Sequence, residues 1–189
     1  MLDEKLSKLK ESIKALGKVV VAFSGGVDST FLLKTCIDEL GRDNVLAVTA
    51  HSQAITEREL IEAQALAALL NARQVIVEST ELDDPNITDN PPERCYYCKK
   101  QIFSNFIAIA RENGYNFILE GTNFSDSDDF RPGMAAIKEL GVLSPLKDAG
   151  LTKDEIRELS KAMGLPTWNK PSYACLFSRF PYEEKITPD

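Results

Sequence analysis

Histidine, long apolar runs and clustered basic residues are what this sequence has least of. No apolar stretch approaches the length of a membrane span, and the opening MLDEKLSKLKESIKALG is not built as a signal peptide. Leu2, Leu6, Leu9, Ile13 and Leu16 recur there at helical spacing between Lys and Glu, which predicts an amphipathic helix. No membrane partner is expected, and the chain reads as cytoplasmic. In that compartment its four cysteines serve more often as ligands, nucleophiles or core residues than as disulfides. No run of five Lys or Arg occurs, and 22 Lys plus Arg stand against 29 Asp plus Glu, a formal net charge of −7. Nucleic-acid binding draws most of its affinity from basic groups facing phosphates. No nucleic-acid partner is therefore expected, although a local basic patch is compatible with that total. Internal repeats and low-complexity segments are also lacking. With 189 residues, 43% of them hydrophobic, the chain is sized for one full domain with a sizeable core.

The most informative absence is one lysine. In VVVAFSGGVDST, residues 19–30, five apolar residues precede a Ser-Gly-Gly turn and a helix-like run. Small residues at Ser24, Gly25 and Gly26 let the backbone approach an anion, and a helix beginning near Val27 aims unpaired N–H groups at it. Yet the stretch matches neither G-x-x-x-x-G-K-[ST] nor G-x-G-x-x-G. Without a lysine on the β- and γ-phosphates, γ-phosphoryl transfer is not the natural chemistry here. Asp28 suits a magnesium ion or its waters, while Ser24 and Ser29 offer hydroxyls to phosphate. The bland alternative is a Gly-rich strand-to-helix turn with no ligand.

Around this turn the pattern is orderly. A strand at 19–23 and a helix from about 27 to 40, closed by Gly41, are followed by a strand (NVLAVTA), a helix (ITERELIEAQALAALLNA) and a strand (RQVIVES). Such alternation predicts an α/β fold with a parallel sheet covered on both faces, whose ligands sit at the carboxyl ends of the strands. TELDDPNITDNPPERCYYCKK then breaks the period with three prolines and five acids, and reads as a long loop, a functional insertion or disordered. A helix (QIFSNFIAIARENG), a strand (NFILEG) and a polar loop (TNFSDSDDFRPG) follow. LTKDEIRELSKAMGLP is a signalled helix, with Thr152 and Glu155 as a capping box and Gly164 then Pro166 as the stop. KPSYACLFSRFPY has no clear period and holds Cys175, Ser178 and Arg179 close together. The final Thr-Pro-Asp reads as a helix start and predicts a region beyond it.

SGGVDS at residues 24–29 resembles, at every position, the S-G-G-x-D-S pyrophosphate loop of the PP-loop ATP pyrophosphatase superfamily. That resemblance implies a doubly wound parallel sheet of the adenine nucleotide alpha-hydrolase type. It also implies ATP cleavage between the α- and β-phosphates, with a substrate oxygen adenylated while the loop grips pyrophosphate. ATP and Mg2+ would then be held by Ala22, Phe23, Ser24, Gly25, Gly26, Asp28 and Ser29, and adenine by the strand end at Thr49, Ala50 and Ser52. The attacking nucleophile is ammonia in some members (GMP, NAD and asparagine synthetases) and sulfur in others (tRNA thiolases and relatives), and the loop leaves that open. Gly121 and Thr122 follow a strand end and could line the ATP pocket; from spacing alone a plain βα turn serves equally.

The cysteines bear on the nucleophile. Cys36 shares an apolar helix face with Leu32, Leu33, Ile37 and Leu40 and reads as core. Cys95 and Cys98 form RCYYC at the end of the long loop, and Cys175 lies in YACLFSR. A lone C-x-x-C is also met by half a zinc site, a redox pair or coincidence. Zinc wants four ligands, and only Cys175 and His51 remain to complete a set; a thioredoxin-like pair would open a helix directly after a strand. Three thiolates suit an iron–sulfur cluster with one iron left open, able to carry an additional sulfide. His51 otherwise reads as a bystander.

NPPERCYYCKK, LEGTNFSDSDDFRPG and SPLKDAGLTKDEIRELSKAMGLPTWNKPSYACLFSRFPY, together with the pyrophosphate loop, resemble the LarE family, the ATP-dependent sulfur transferases of nickel-pincer nucleotide biosynthesis. The likeness runs from about residue 19 to 186. It implies that a carboxylate of a small nucleotide, pyridinium-3,5-biscarboxylic acid mononucleotide, is adenylated and converted to a thiocarboxylate, with sulfide or another sulfur donor as co-substrate. In one version of the family a single cysteine of the ACL segment gives up its sulfur and becomes dehydroalanine. In the other it joins a C-x-x-C pair to hold a 4Fe-4S cluster. The resemblance assigns Cys175 and Asp28 as catalytic, and Cys95, Cys98 and Cys175 as cluster ligands. It also implies an ATP domain over 1–170 and, from 171 to 189, the start of a C-terminal sulfur-transfer region that continues in family members; a homo-oligomer is left open. Arg131 and Arg179 are candidate phosphate clamps, since Arg suits bidentate anion contacts, with Ser178 beside the latter. Tyr97, like Tyr96, could stack on a pyridinium ring, and packing against the sheet explains both as well. The acids at 126, 128 and 129 read as a solvated loop.

Overall fold

At the centre of the computed structural model, which describes residues 1–128 and 132–187, stands strand β1 (Val19–Ala22). It pairs in parallel with β2 (Val45–His51), from Val19↔Val45 to Ala22↔Val48, and on its other edge with β4 (Phe117–Leu119). β3 (Arg73–Glu78) lies outside β2, so the order is β3-β2-β1-β4. A strand paired on both edges and covered on both faces has no solvent side. That is why Val19, Val20 and Val21 follow one another without a polar break, each fully buried.

Alternation along the strand divides these valines between two cores. Val19 and Val21 join Leu9 and Ile13 of α1 (Leu2–Leu16) and Phe31, Leu32 and Cys36 of α2 (Val27–Leu40). Val20 joins Leu46, Val48, and Phe103 and Phe106 of α5 (Arg94–Glu112) on the other face. The doubly wound sheet expected from the sequence is thus present, and Cys36 is core. The other helices are α3 (Glu57–Leu69), α4 (Pro85–Thr88), α6 (Pro132–Glu139), α7 (Pro145–Asp148) and α8 (Lys153–Ala162). α8 opens on the reciprocal Thr152–Glu155 capping box read from the sequence, and Thr56 with Glu59 does the same for α3. Among the described residues no helix is long and apolar enough to cross a membrane.

Two expectations give way. Residues 80–100 are not one irregular loop: they contain a 3-10 turn (Glu81–Asp83), α4 and the first two turns of α5. Cys95, Tyr96, Tyr97 and Cys98 are therefore helical, and the helix expected from Gln101 starts at Arg94. Cys-Tyr-Tyr-Cys has little intrinsic helix preference, so the first turn is held by tertiary bonds. Buried Arg94 donates through Nη1 to Asn90 Oδ1 (2.5 Å) and to the Phe177 carbonyl (2.9 Å). Pro91 and Pro92 precede the helix, where their missing N–H groups cost it nothing.

The stretch after residue 170 is likewise not featureless. It forms a 3-10 turn (Leu176–Arg179) and lies back on the protein through Leu176 N–H to the Ala54 carbonyl (2.8 Å), Glu183 N–H to Asn90 (3.0 Å) and Ile186 N–H to Thr88 (2.8 Å). Phe177 and Ile186 bury with Ala54 and Ile87 in a small third core. Asn90 joins the layers: fully buried, at φ 54, it donates through Nδ2 to the Pro181 carbonyl at 2.7 Å. Asn tolerates that left-handed backbone better than most residues do.

Candidate active site

Because β2 and β3 lie to one side of β1 and β4 to the other, the strand order reverses between β1 and β4. Doubly wound sheets open a ligand crevice there, beyond the carboxyl ends of the strands. The turn at 24–26 occupies that position. Gly25 has φ +73, and a Cβ on it would fall 3.0 Å from Ala63 Cα of α3. Gly26 caps α2 in extended conformation without a side-chain bond, so the first N–H groups of α2 keep no capping partner. Ser24 and Ser29 hold each other, Oγ to Oγ at 3.1 Å. Gly121 brings the end of β4 against this turn: a Cβ there would lie 3.1 Å from the Ser29 nitrogen and 3.3 Å from Asp28 Cβ. Gly25→Ala should lose about 1–2 kcal/mol to the left-handed backbone alone, with the Ala63 clash in addition. Gly26→Ala, at φ −78 with only Ser24 Oγ at 3.4 Å, is the matched control. Thermal unfolding of the two variants should put Gly25→Ala clearly below Gly26→Ala.

Asp28 stands in the first turn of α2. Its Oδ2 accepts from Lys153 Nζ at 2.6 Å, while Oδ1 is buried with no hydrogen-bond partner. Burial raises the Asp28 carboxyl above its ordinary range despite the opposing pull of Lys153. A second lysine reaches the same turn: Lys170 Nζ donates to the Gly25 carbonyl (3.1 Å) and pairs with Glu62 Oε2 (3.0 Å), whose Oε1 accepts from Arg58 Nε (2.8 Å). Neither lysine was foreseen, because they lie 125 and 145 residues along the chain from their partners. The Asp28 oxygen without a hydrogen-bond partner, in the first turn of α2, is a donor suited to a hard cation such as Mg2+.

The candidate adenine and ATP contacts are distributed around this turn. Phe23 N–H bonds the Val48 carbonyl, and beyond that point residues 49–51 of β2 pair with β3 alone. Three candidate hydroxyls are already committed within the protein. Thr49 Oγ1 donates to the Phe23 carbonyl (2.6 Å), Ser52 Oγ to Glu81 Oε1 (2.7 Å), and Thr122 Oγ1 to Glu120 Oε2 (2.7 Å). Ser144 holds the other Glu120 oxygen. What Thr49, Ala50, Ser52 and Thr122 offer a nucleotide is therefore mainly backbone. Two buried carboxylates, Glu81 and Glu120, escaped notice in the sequence; a Glu inside a polar stretch carries no signal of burial.

The cysteine region lies beside it. Cys175 is exposed at the start of the 3-10 turn, and its carbonyl accepts from Ser178 N–H (3.0 Å) and Ser178 Oγ (2.5 Å), so Ser178 shapes the turn. Cys95 is exposed and 3.9 Å from Arg94 Nη2. Burial first, then Glu81, Cys175 and Cys95, push the Cys98 thiol up to about 12. All three thiols are free and within electrostatic reach of one another. Among the described residues, however, no three His, Cys, Asp or Glu side chains converge to hold a metal ion. A single ion gathers its thiolates at about 2.3 Å from one centre.

Tyr97 packs on the small third core rather than on the sheet, and Tyr96 Oη donates to Glu139 Oε2 at 2.5 Å. Arg179 is exposed, and Arg131 and Asp129 lie outside the described residues. His51 bonds Glu78 through Nδ1 (2.8 Å), which raises its pKa, and takes no part in the cysteine region.

Comparison with known proteins fits this geometry. The NAD synthase family matches residues 2–89. An uncharacterised protein of Synechocystis is 42% identical over 187 residues, covering 99% of this chain and 69% of that protein. The pyridinium-3,5-bisthiocarboxylic acid mononucleotide synthase of Lactiplantibacillus plantarum is 42% identical over 191 residues, covering 100% of this chain and 68% of that protein. In three dimensions the NH3-dependent NAD synthetase of Campylobacter jejuni matches with a TM-score of 0.67 at 21% identity, over 92% of this chain and 79% of that one. With 42% identity to the Lactiplantibacillus synthase along the whole of this chain and the NAD synthase family match at its start, the chain belongs to the LarE family of the PP-loop ATP pyrophosphatase superfamily.

Proposed function

We propose that the protein is an ATP-dependent sulfur transferase that adenylates a carboxylate of pyridinium-3,5-biscarboxylic acid mononucleotide and converts it to a thiocarboxylate for nickel-pincer cofactor synthesis. One observation carries the reading: a lysine-free pyrophosphate turn and three free thiols share the carboxyl edge of one sheet. Lys170, bonded to Gly25, precedes Cys175 by five residues, a span of at most about 18 Å. Leu176 bonds Ala54, just past the end of β2. The name of the Lactiplantibacillus relative supports the same acceptor, a small nucleotide rather than RNA.

In the first step a carboxylate oxygen of the acceptor attacks the α-phosphorus of ATP. The bond from that phosphorus to the bridging oxygen breaks, and its electron pair leaves on pyrophosphate. Uncapped N–H groups in the first turn of α2, at residues 27–29, would receive the charge that develops there. Asp28 is the residue that would hold magnesium, which when bound neutralises phosphate charge. In the second step a sulfur nucleophile attacks the acyl carbon and AMP leaves with the carbon–oxygen bonding pair. Cys95, Cys98 and Cys175 would hold a 4Fe-4S cluster, which when bound supplies an iron open to an extra sulfide. A second reading, Cys175 alone giving up its sulfur, is favoured by its exposure and by the lack of a converged three-residue metal group among the described residues. Residues 1–170 would form the ATP-binding part and 171–189 the start of the sulfur-transfer part, where exposed Arg179 is the candidate for the acceptor phosphate. Incubation with ATP, magnesium and acceptor should yield AMP and pyrophosphate in equal amounts, read by anion-exchange chromatography. ADP and phosphate as the only products would overturn the proposal.

A further inference from the structure

Residues 49–54, at the carboxyl end of β2 and just beyond it, touch both halves of the candidate site. On one side Thr49 Oγ1 donates to the carbonyl of Phe23, the residue before the glycine turn. On the other the Ala54 carbonyl accepts the N–H of Leu176, the residue after Cys175, at 2.8 Å. Ala54 is buried and packs with Phe177 in the third core. Between these contacts the chain is hooked by Ser52, whose Oγ accepts the Ala54 N–H (2.9 Å) and whose carbonyl accepts the Ile55 N–H (3.2 Å).

A hydroxyl has one hydrogen to give and can give it in several directions. Glu81 removes the choice. Its Oε1 takes the Ser52 hydrogen at 2.7 Å, so the lone pairs of Ser52 Oγ are turned to the Ala54 N–H. Glu81 is fully buried, and among the described residues its Oε2 has no hydrogen-bond partner. The hold of this side chain on its surroundings therefore runs through Ser52. Packing alone would favour an apolar residue at such a position. Cys98 of α5 lies within electrostatic reach of the same carboxylate, so Glu81 adjoins the α5 cysteine pair as well as the hook.

We propose that Glu81 is a positioning residue for sulfur transfer: through Ser52 and Ala54 it sets where the Cys175 turn stands relative to the nucleotide edge of the sheet. It touches neither nucleotide nor acceptor. This rests on the sulfur-transfer reading above. An acyl adenylate whose carbon lies out of reach of the sulfur is attacked by water instead. The carbon–oxygen bond to AMP then breaks, AMP leaves with the bonding pair, and the acceptor carboxylate is restored. Misplacement of Cys175 therefore shows as AMP released without thiocarboxylate.

The test supplies the full chain, under anaerobic conditions, with ATP, magnesium, acceptor and sulfide, and measures thiocarboxylate formed per AMP released. Glu81→Leu should lower that ratio by about ten-fold or more, the scale on which a small displacement of a reacting group is felt. Its AMP release should stay within about three-fold of wild type. Glu81→Gln keeps an acceptor for Ser52 and should hold the ratio within about three-fold of wild type. Leu176→Pro cuts the last link alone. Cys175 already has the backbone that precedes proline (φ −50, ψ 141), and the first position of a 3-10 turn accepts one. This variant should lower the ratio as Glu81→Leu does, and the double variant should be no worse than the poorer single one, because both interrupt one path. Should Glu81→Leu fail to fold, Leu176→Pro and Glu81→Gln carry the test. An unchanged ratio in Leu176→Pro, additive losses in the double variant, a Glu81→Gln ratio as low as that of Glu81→Leu, or AMP and thiocarboxylate falling together in Glu81→Leu each overturns the inference. Sulfur transfer by the wild type leaves the proposed function standing in all of these cases. A wild type that releases AMP and makes no thiocarboxylate overturns the proposed function, and the role of Glu81 with it.

Discussion

Replacing Cys175 with alanine will lower thiocarboxylate formation by about 1,000-fold or more, the scale on which loss of a covalent catalytic group is felt. Cys175 is the one cysteine on the 3-10 turn that Arg94 and Leu176 fasten to the fold, and its thiol is exposed to a substrate. The informative comparison is with Cys95→Ala and Cys98→Ala. If the three thiols hold one cluster, either change should remove iron and sulfur transfer together, while Cys175 keeps its mass through repeated turnover in the wild type. Anaerobic iron determination and intact-protein mass spectrometry measure these outcomes. A wild-type chain that loses the mass of one hydrogen sulfide molecule on turnover, in a protein indifferent to Cys95 and Cys98, would instead assign the sulfur to Cys175 itself. Both substitutions on α5 should be mild for folding, since Cys95 is exposed and Cys98 lies at the margin of the small third core.

Asp28→Asn should lower AMP and pyrophosphate formation by about ten-fold or more, which asks only about 1.4 kcal/mol of the lost charge in the transition state. The substitution keeps the shape of the side chain and removes its charge. It also makes a second, opposite prediction. The folded state raises the Asp28 pKa, so it favours the neutral form relative to the unfolded chain, and near neutral pH the ionised carboxylate costs stability. A neutral isostere relieves that cost. In magnesium-free buffer Asp28→Asn should therefore unfold at or above the wild-type temperature while its adenylation rate falls. Greater stability with poorer activity is the mark of a charge kept for function. Equal adenylation rates for the two proteins would remove Asp28 from the chemistry.

Local rules made half of this architecture legible. The apolar run of β1, the Gly turn and α2 are adjacent in sequence, and the α8 capping box is written within four residues, so each could be read where it stood. The start of α5 could not. Its Cys-Tyr-Tyr-Cys turn is poor helix material, and what holds it is Arg94 bonded to the Phe177 carbonyl 83 residues away. Still longer separations hid Lys153, Lys170 and the buried Asn90. A lysine in an amphipathic helix and one before a proline look like ordinary surface residues until the fold brings them to a glycine turn. The glycine turn was thus visible as a motif, whereas its counter-charges became visible only with the topology.

The separation of the turn from those counter-charges has a consequence for a chain still being made. The glycine turn and Asp28 leave the ribosome early, but Lys153 follows 125 residues later and Lys170 lies 145 residues beyond Gly25. At ordinary elongation rates the first of these delays alone is roughly 6–25 s. During it a nascent chain can form β1, α2 and β2 around an aspartate with no cation to match it. The bonds that complete the turn therefore wait on residues 153 and 170, which lie close in the chain to Cys175. The counter-charges of the glycine turn and the candidate sulfur-transfer cysteine, 22 residues beyond Lys153, are thus made within about 1–4 s of each other.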